Sequence, residues 1–160
     1  MAASLMVAMA TAALNLCAPF HDEAKDRYGY LQCDGSPGLP AQYRVADDFT
    51  AGGIAAVLDA TGWYYIDRQG RFLLRPMIYD NGPDYFVEGL SRFIQDGKTG
   101  FFDEAGQVVI PATYDFAYPF KDGVAEVGQR CTTTRQHEHS IVSCQAWSTI
   151  KHPATPATSR

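Results

Sequence analysis

Apolar and polar positions along this chain fall into two regimes. From Ala2 to Phe20 the side chains run AASLMVAMATAALNLCAPF without a charge, and charge begins only at His21-Asp22-Glu23. Beyond that point, short aromatic-rich runs alternate with polar positions and are cut every few residues by Gly or Pro. No sustained 3.6-residue apolar period occurs there, so strands are expected and helix content should be small. Trp63 to Asp67 and Phe101 to Asp103 read as strands. The segments Arg68-Gln69-Gly70 and Glu104-Ala105-Gly106 read as turns, with glycine supplying positive φ. Arg71 to Leu74 and Gln107 to Ile110 are the return strands, stopped by Pro76 and Pro111, which have no amide to donate. A loop through Tyr79-Asp80 leads to a further strand, Gly89 to Ile94, and Asp96-Gly97 is a hairpin turn. The pattern gives about three antiparallel strands per unit.

The units repeat. Pro40, Pro76 and Pro111 share a phase, as do Tyr43, Tyr79 and Tyr114, then Phe49, Phe86 and Phe120, then Gly53, Gly89 and Gly123, then Val57, Phe93 and Val127, at spacings of 34 to 37 residues. Missing such a period would misassign the whole fold. The third copy is the clearest, with Gly100-Phe101-Phe102-Asp103, Gly106, Val108-Val109-Ile110-Pro111, Tyr114-Asp115, Phe120 and Gly123-Val124-Ala125. This pattern resembles the WG-repeat proteins of bacteria. The second copy departs from it at Trp63-Tyr64, where the family has Trp-Gly, and the first has Gln32 where Asp is expected. The resemblance covers residues 27 to 128, with a partial further copy starting at Trp147-Ser148. It implies an all-β fold and no common enzymatic activity. One unit cannot bury both its faces, so tandem hairpin or meander repeats should stack, here as an open array of three units (27–59, 60–96, 97–129).

Composition and charge narrow the function. With 160 residues, 46% of them apolar, the chain suits one domain with a real core. Its 13 basic against 18 acidic residues give a net charge of −5, unsuited to nucleic-acid binding. The uncharged start reads as a signal-peptide helix over residues 1–13, cleaved near Ala12 or Ala13, followed by an N-terminal segment over 14–26. No Lys or Arg precedes the apolar run, and Cys17 lacks the small residue that a lipoprotein signal places before its cysteine. The expected compartment is therefore periplasmic or extracellular, with no membrane span left after cleavage.

Few residues promise chemistry. Asp67 and Asp103, and likewise Asp80 and Asp115, recur at fixed phases beside turns, which suits backbone capping better than catalysis. Trp63 and Phe86 sit at repeat-defining phases and belong in the core. Tyr64, Tyr65 and Tyr85 are the candidates for an exposed binding face. Cys131 and Cys144 flank two short strands around a polar turn, in a segment spanning 130–151, and are well placed to form a disulfide. Cys17 and Cys33 could form a second. The rival metal site of Cys131, His137, His139 and Cys144 matches no standard zinc spacing. No catalytic residue and no cofactor are expected, and residues 152–160 read as a disordered tail. The expected role is a non-catalytic binding module for another envelope protein, with a cell-wall glycan held by exposed Tyr and Trp as the alternative.

Overall fold

A computed structural model of the protein describes residues 12–154. The expected leader helix falls mostly on residues 1–11, outside the described residues. Those that are described contain strands and turns and no helix. The first meander consists of β1 (Leu16–Asp22), β2 (Arg27–Gln32) and β3 (Pro37–Tyr43), followed by the short β4 (Val45–Ala46). The second consists of β5 (Ile54–Asp59), β6 (Gly62–Asp67) and β7 (Phe72–Pro76), followed by a small hairpin of β8 (Ile78–Tyr79) and β9 (Gly82–Pro83). The third consists of β10 (Leu90–Gln95), β11 (Lys98–Asp103) and β12 (Val108–Tyr114), followed by β13 (Phe116–Ala117). A long hairpin of β14 (Val124–Gln136) and β15 (His139–Lys151) comes last. Every pairing is antiparallel.

The repeat boundaries read from sequence, 59/60 and 96/97, fall inside the tight β5–β6 and β10–β11 turns. A meander therefore opens with the last strand of one sequence repeat and closes with the first strands of the next. The second and third meanders, with β4, share a seven-stranded sheet in the order β12-β11-β10-β7-β6-β5-β4. The first meander and the β13-β14-β15 group form separate three-stranded sheets.

Three core clusters lie between consecutive units, and strand alternation fills them. In β5, Ala55 and Val57 join Leu16, Tyr30 and Tyr43 in one cluster, while Ile54 and Ala56 join Phe93 and Phe102 in the next. In β11, Phe102 serves that second cluster, while Phe101 turns to a third with Phe120, Ala125 and Val127. Trp63 and Phe86 pack against the second cluster as partly buried residues. Each fully buried aromatic contributes about 2–3 kcal/mol through area removed from water.

The repeat glycine has a packing reason. A Cβ on Gly100 would lie 2.5 Å from the Ile110 carbonyl oxygen and 2.6 Å from the Phe93 ring, and Gly29 faces Leu39 and Phe20 in the same way. Beyond those glycines the ladders bulge and continue, to Tyr28↔Tyr43 and Thr99↔Tyr114. Tyr64 occupies this phase in the second meander, and the residue opposite it is the smaller Val57 instead of Phe20 or Phe93. A tyrosine there denies the return strand its close crossing. The β6–β7 ladder accordingly stops at Tyr65↔Leu74, and β7 turns to pair with β10 through Arg75 and Pro76. The departure at Trp63-Tyr64 thus coincides with the place where two meanders fuse into one sheet.

The turn carboxylates act on the backbone. Asp67 Oδ1 accepts from the Gln69 and Arg71 amides at 2.9 and 3.0 Å, and Asp103 Oδ1 accepts from Ala105 and Gln107 at 3.0 and 2.9 Å. His152, assigned by sequence to the tail, is instead anchored. Its amide donates to the Gly123 carbonyl at 2.8 Å, and its ring packs on Phe120. Residues 155–160 of that tail lie outside the described residues.

Candidate binding cleft

The largest concentration of exposed aromatic surface is assembled from three separated segments. The β8–β9 hairpin turns through Asp80 and Asn81 at φ 51° and 67°, the positive values a two-residue hairpin turn requires. This hairpin presents Ile78 and Tyr79 outward, and Tyr85 follows it, 64% exposed, with its ring 6.0 Å from that of Tyr79. Across from them stand Phe116 and Tyr118, their rings 5.0 Å apart. Behind Tyr118, Trp147 of β15 stacks at 5.6 Å. Ser140 and Val142, on the outer arm of the long hairpin, line the same cleft, whose volume is about 720 Å³.

Beneath the aromatics lies a buried ion pair. Arg92 donates through Nε to Asp84 Oδ2 at 2.7 Å and through Nη2 to Oδ1 at 2.9 Å, with both side chains almost fully buried. Its Nη1 donates to the Ala117 carbonyl at 2.8 Å, and Ser91 Oγ donates to the Asp84 carbonyl at 3.1 Å. These bonds tie β10, the segment before Tyr85 and β13 together, which fixes the two aromatic walls relative to each other. A forked guanidinium suits this two-point pairing. Both carboxylate oxygens of Asp84 are occupied by Arg92, so the cleft offers apolar contact more readily than proton transfer.

The binding-face candidates separate cleanly. Tyr85 lies in the cleft. Tyr64 lies in another part of the molecule, half-buried, donating its hydroxyl to Asp59 Oδ2 at 2.8 Å, with the Arg75 guanidinium 5.5 Å over its ring. Tyr65 is buried against Phe86 and Phe102 and drops out of the candidate face. Burial, with the charges of Asp47 and Asp84 adding to it, pushes its phenol up to about 12. The reason is the stacking: the second meander has the first on one side and the third on the other, so both faces of β6 are covered. Sequence reasoning missed Tyr118 and Trp147 as surface residues, and Asp84 and Arg92 altogether. Tyr85 and Tyr118 both precede a repeat phenylalanine by one or two residues, in a loop no strand pattern buries, and that was the available signal. For Arg92 the signal was a charge inside the apolar run Leu90 to Ile94.

Two disulfides brace the first meander and the long final hairpin. Cys131 and Cys144 face each other across β14 and β15 and clamp the base of the arm that carries Ser140 and Val142. The Cys131 amide donates to Asp115 Oδ2 at 3.2 Å; Asp115 is held below the usual carboxylate range by hydrogen bonding from Lys98 and from this amide. With both cysteines bonded to each other, the alternative metal set loses its two sulfur ligands, and His137 and His139 are exposed at the hairpin tip. Cys17 and Cys33 join β1 to the end of β2. Among the described residues no helix is long and apolar enough to cross a membrane.

No curated protein and no solved structure matches the chain. The family model of the WG containing repeat matches residues 63–98 and 100–130, which begin with β6 and run into β14. These two repeats, and the strands they form, are consistent with a WG-repeat protein.

Proposed function

We propose that the protein is an exported, non-catalytic binding module whose stacked repeats form an open array and whose cleft receives a segment of another envelope protein. The observation that carries this reading is the cleft itself: exposed Tyr79, Tyr85 and Tyr118 flank a hollow whose central polar groups, Asp84 and Arg92, are already paired with each other. Tyrosines bury much area at low entropy cost, as protein-binding surfaces require. Export is supported by the uncharged N-terminal stretch and by two disulfides, which persist in oxidising compartments. The open array is supported by core clusters that each join neighbouring units.

A glycan ligand is the second reading, favoured by the grooved shape of the aromatic surface, since a groove suits an extended chain. Against it stands the state of the two charged groups in the lining, Asp84 and Arg92, which are bonded to each other and so closed to sugar hydroxyls that need partners when desolvated. The test is retention of the oxidised chain on purified cell-wall glycan and, separately, recovery of envelope proteins by it, each repeated with Tyr85→Ala/Tyr118→Ala. The proposal expects a protein recovered by the parent chain and lost with the variant. Retention on glycan alone, abolished by the same variant, would replace it with the second reading.

A further inference from the structure

The Tyr79–Tyr85 pair is a ridge with a hollow on each side. One side is the apolar cleft. The other, about 420 Å³, is lined by Asp47, Asp48 and Asp80 together with the same two tyrosines, and its lining includes no Lys, Arg or His. Among the described residues none of these three carboxylates takes part in an ion pair. Asp47 and Asp48 come from the loop after β4, and Asp80 from the tip of the β8–β9 hairpin, so the fold gathers three like charges beside exposed aromatic rings. Like charges so placed repel, and a cation relieves that repulsion while also meeting the negative faces of the tyrosines.

From this charge arrangement we infer that the cleft takes a basic and apolar peptide segment, laid across the Tyr79–Tyr85 ridge. The inference rests on the protein-binding reading above. Apolar side chains of the segment enter the cleft between Tyr85 and Tyr118, and a neighbouring Lys or Arg reaches the acidic hollow. Charge complementarity of this kind sets partner choice and association rate, and it weakens as salt screens it.

The experiment is calorimetric titration of the oxidised full chain with three synthetic decapeptides of Leu, Val and Lys, in which the Lys positions are kept, replaced by Gln or replaced by Glu, and with a chitin oligosaccharide. The Lys peptide should bind most tightly and lose affinity with added salt; the Glu peptide should bind at least about tenfold more weakly. Asp47→Asn/Asp48→Asn/Asp80→Asn should cost the Lys peptide roughly tenfold and leave the Gln peptide unchanged. Asparagine tolerates the positive φ of residue 80, and a thermal melt confirms folding of the variant. Tyr85→Ser should weaken all three peptides. Equal binding of the Lys and Glu peptides, or no effect of the Asn variant, overturns the basic-partner inference while the protein-binding reading stands. Binding of the oligosaccharide with no peptide bound overturns both, and silence from every ligand overturns the inference.

Discussion

Replacing Gly100 by alanine tests the packing rule that shapes the first and third meanders. The new Cβ would sit 2.5 Å from the Ile110 carbonyl oxygen, 2.6 Å from the Phe93 ring and 2.7 Å from the Ala112 nitrogen. Two of these neighbours are backbone atoms held in the β11–β12 ladder, and the third is a ring only 2% exposed in the second core cluster. Overpacking of a well-filled site costs typically 1–3 kcal/mol, and with rigid neighbours the upper end applies, so about 3 kcal/mol is expected. For a domain of this size that lowers the melting temperature by roughly 6–12 °C. Gly82→Ala is the control, since a Cβ on Gly82 would meet nothing within 4 Å; its effect should stay within about 0.5 kcal/mol. The assay is urea unfolding of the oxidised chain, followed by tryptophan fluorescence and circular dichroism. Equal midpoints for Gly100→Ala and Gly82→Ala would refute the reasoning, because the close backbone crossing would then not be a constraint.

Other expectations follow from the same geometry. Cys131→Ser/Cys144→Ser should cost about 3 kcal/mol in the chain-entropy account, and hydrogen exchange should show the arm from Thr132 to Ser143 losing protection first. Arg92→Met leaves Asp84 buried without its partner and should cost about 3–5 kcal/mol, whereas Asp84→Leu/Arg92→Met should cost clearly less, as denaturant titration of the double-mutant cycle would show. The alkaline limit of stability should be set by tyrosine. Burial raises the phenols of Tyr30, Tyr43 and Tyr65 above the ordinary value of 10.0, that of Tyr65 to about 12. Their raised values favour the protonated folded state, so this stabilisation is complete below about pH 10 and is lost as pH rises towards 12. Phenolate absorbance should show these buried tyrosines ionising only together with unfolding.

Much of the fold was legible in the sequence because its punctuation is chemical. Gly70 and Gly106 mark the turns, Pro76 and Pro111 the strand ends, and Asp96-Gly97 a hairpin. The structure has both turns and the hairpin at those places and ends β7 at Pro76, while β12 runs on through Pro111 to Tyr114. The assignment of Asp67 and Asp103 to turn capping could be made from their position before those glycines. Facing was harder to read. Period-two alternation places Tyr64 and Tyr65 on opposite sides of β6, but in a stack both sides are interior, so alternation alone does not identify the solvent face. The cleft was illegible for a different reason. Its walls come from residues 78–85, 116–119 and 140–142, brought together by the Arg92–Asp84 pair and by the overhang of the long hairpin. No local pattern records that meeting.

The measurement that bears most directly on the proposed role is amide chemical-shift mapping of the oxidised, isotope-labelled chain, with the Lys-containing decapeptide and with a soluble wall glycan in separate samples. Perturbations from the peptide should concentrate at Ile78 to Tyr85, Phe116 to Tyr118 and Ser140 to Val142, and should be lost with Tyr85→Ser. Shifts confined to other surfaces, or a response at the cleft to the glycan alone, would contradict a protein-binding cleft.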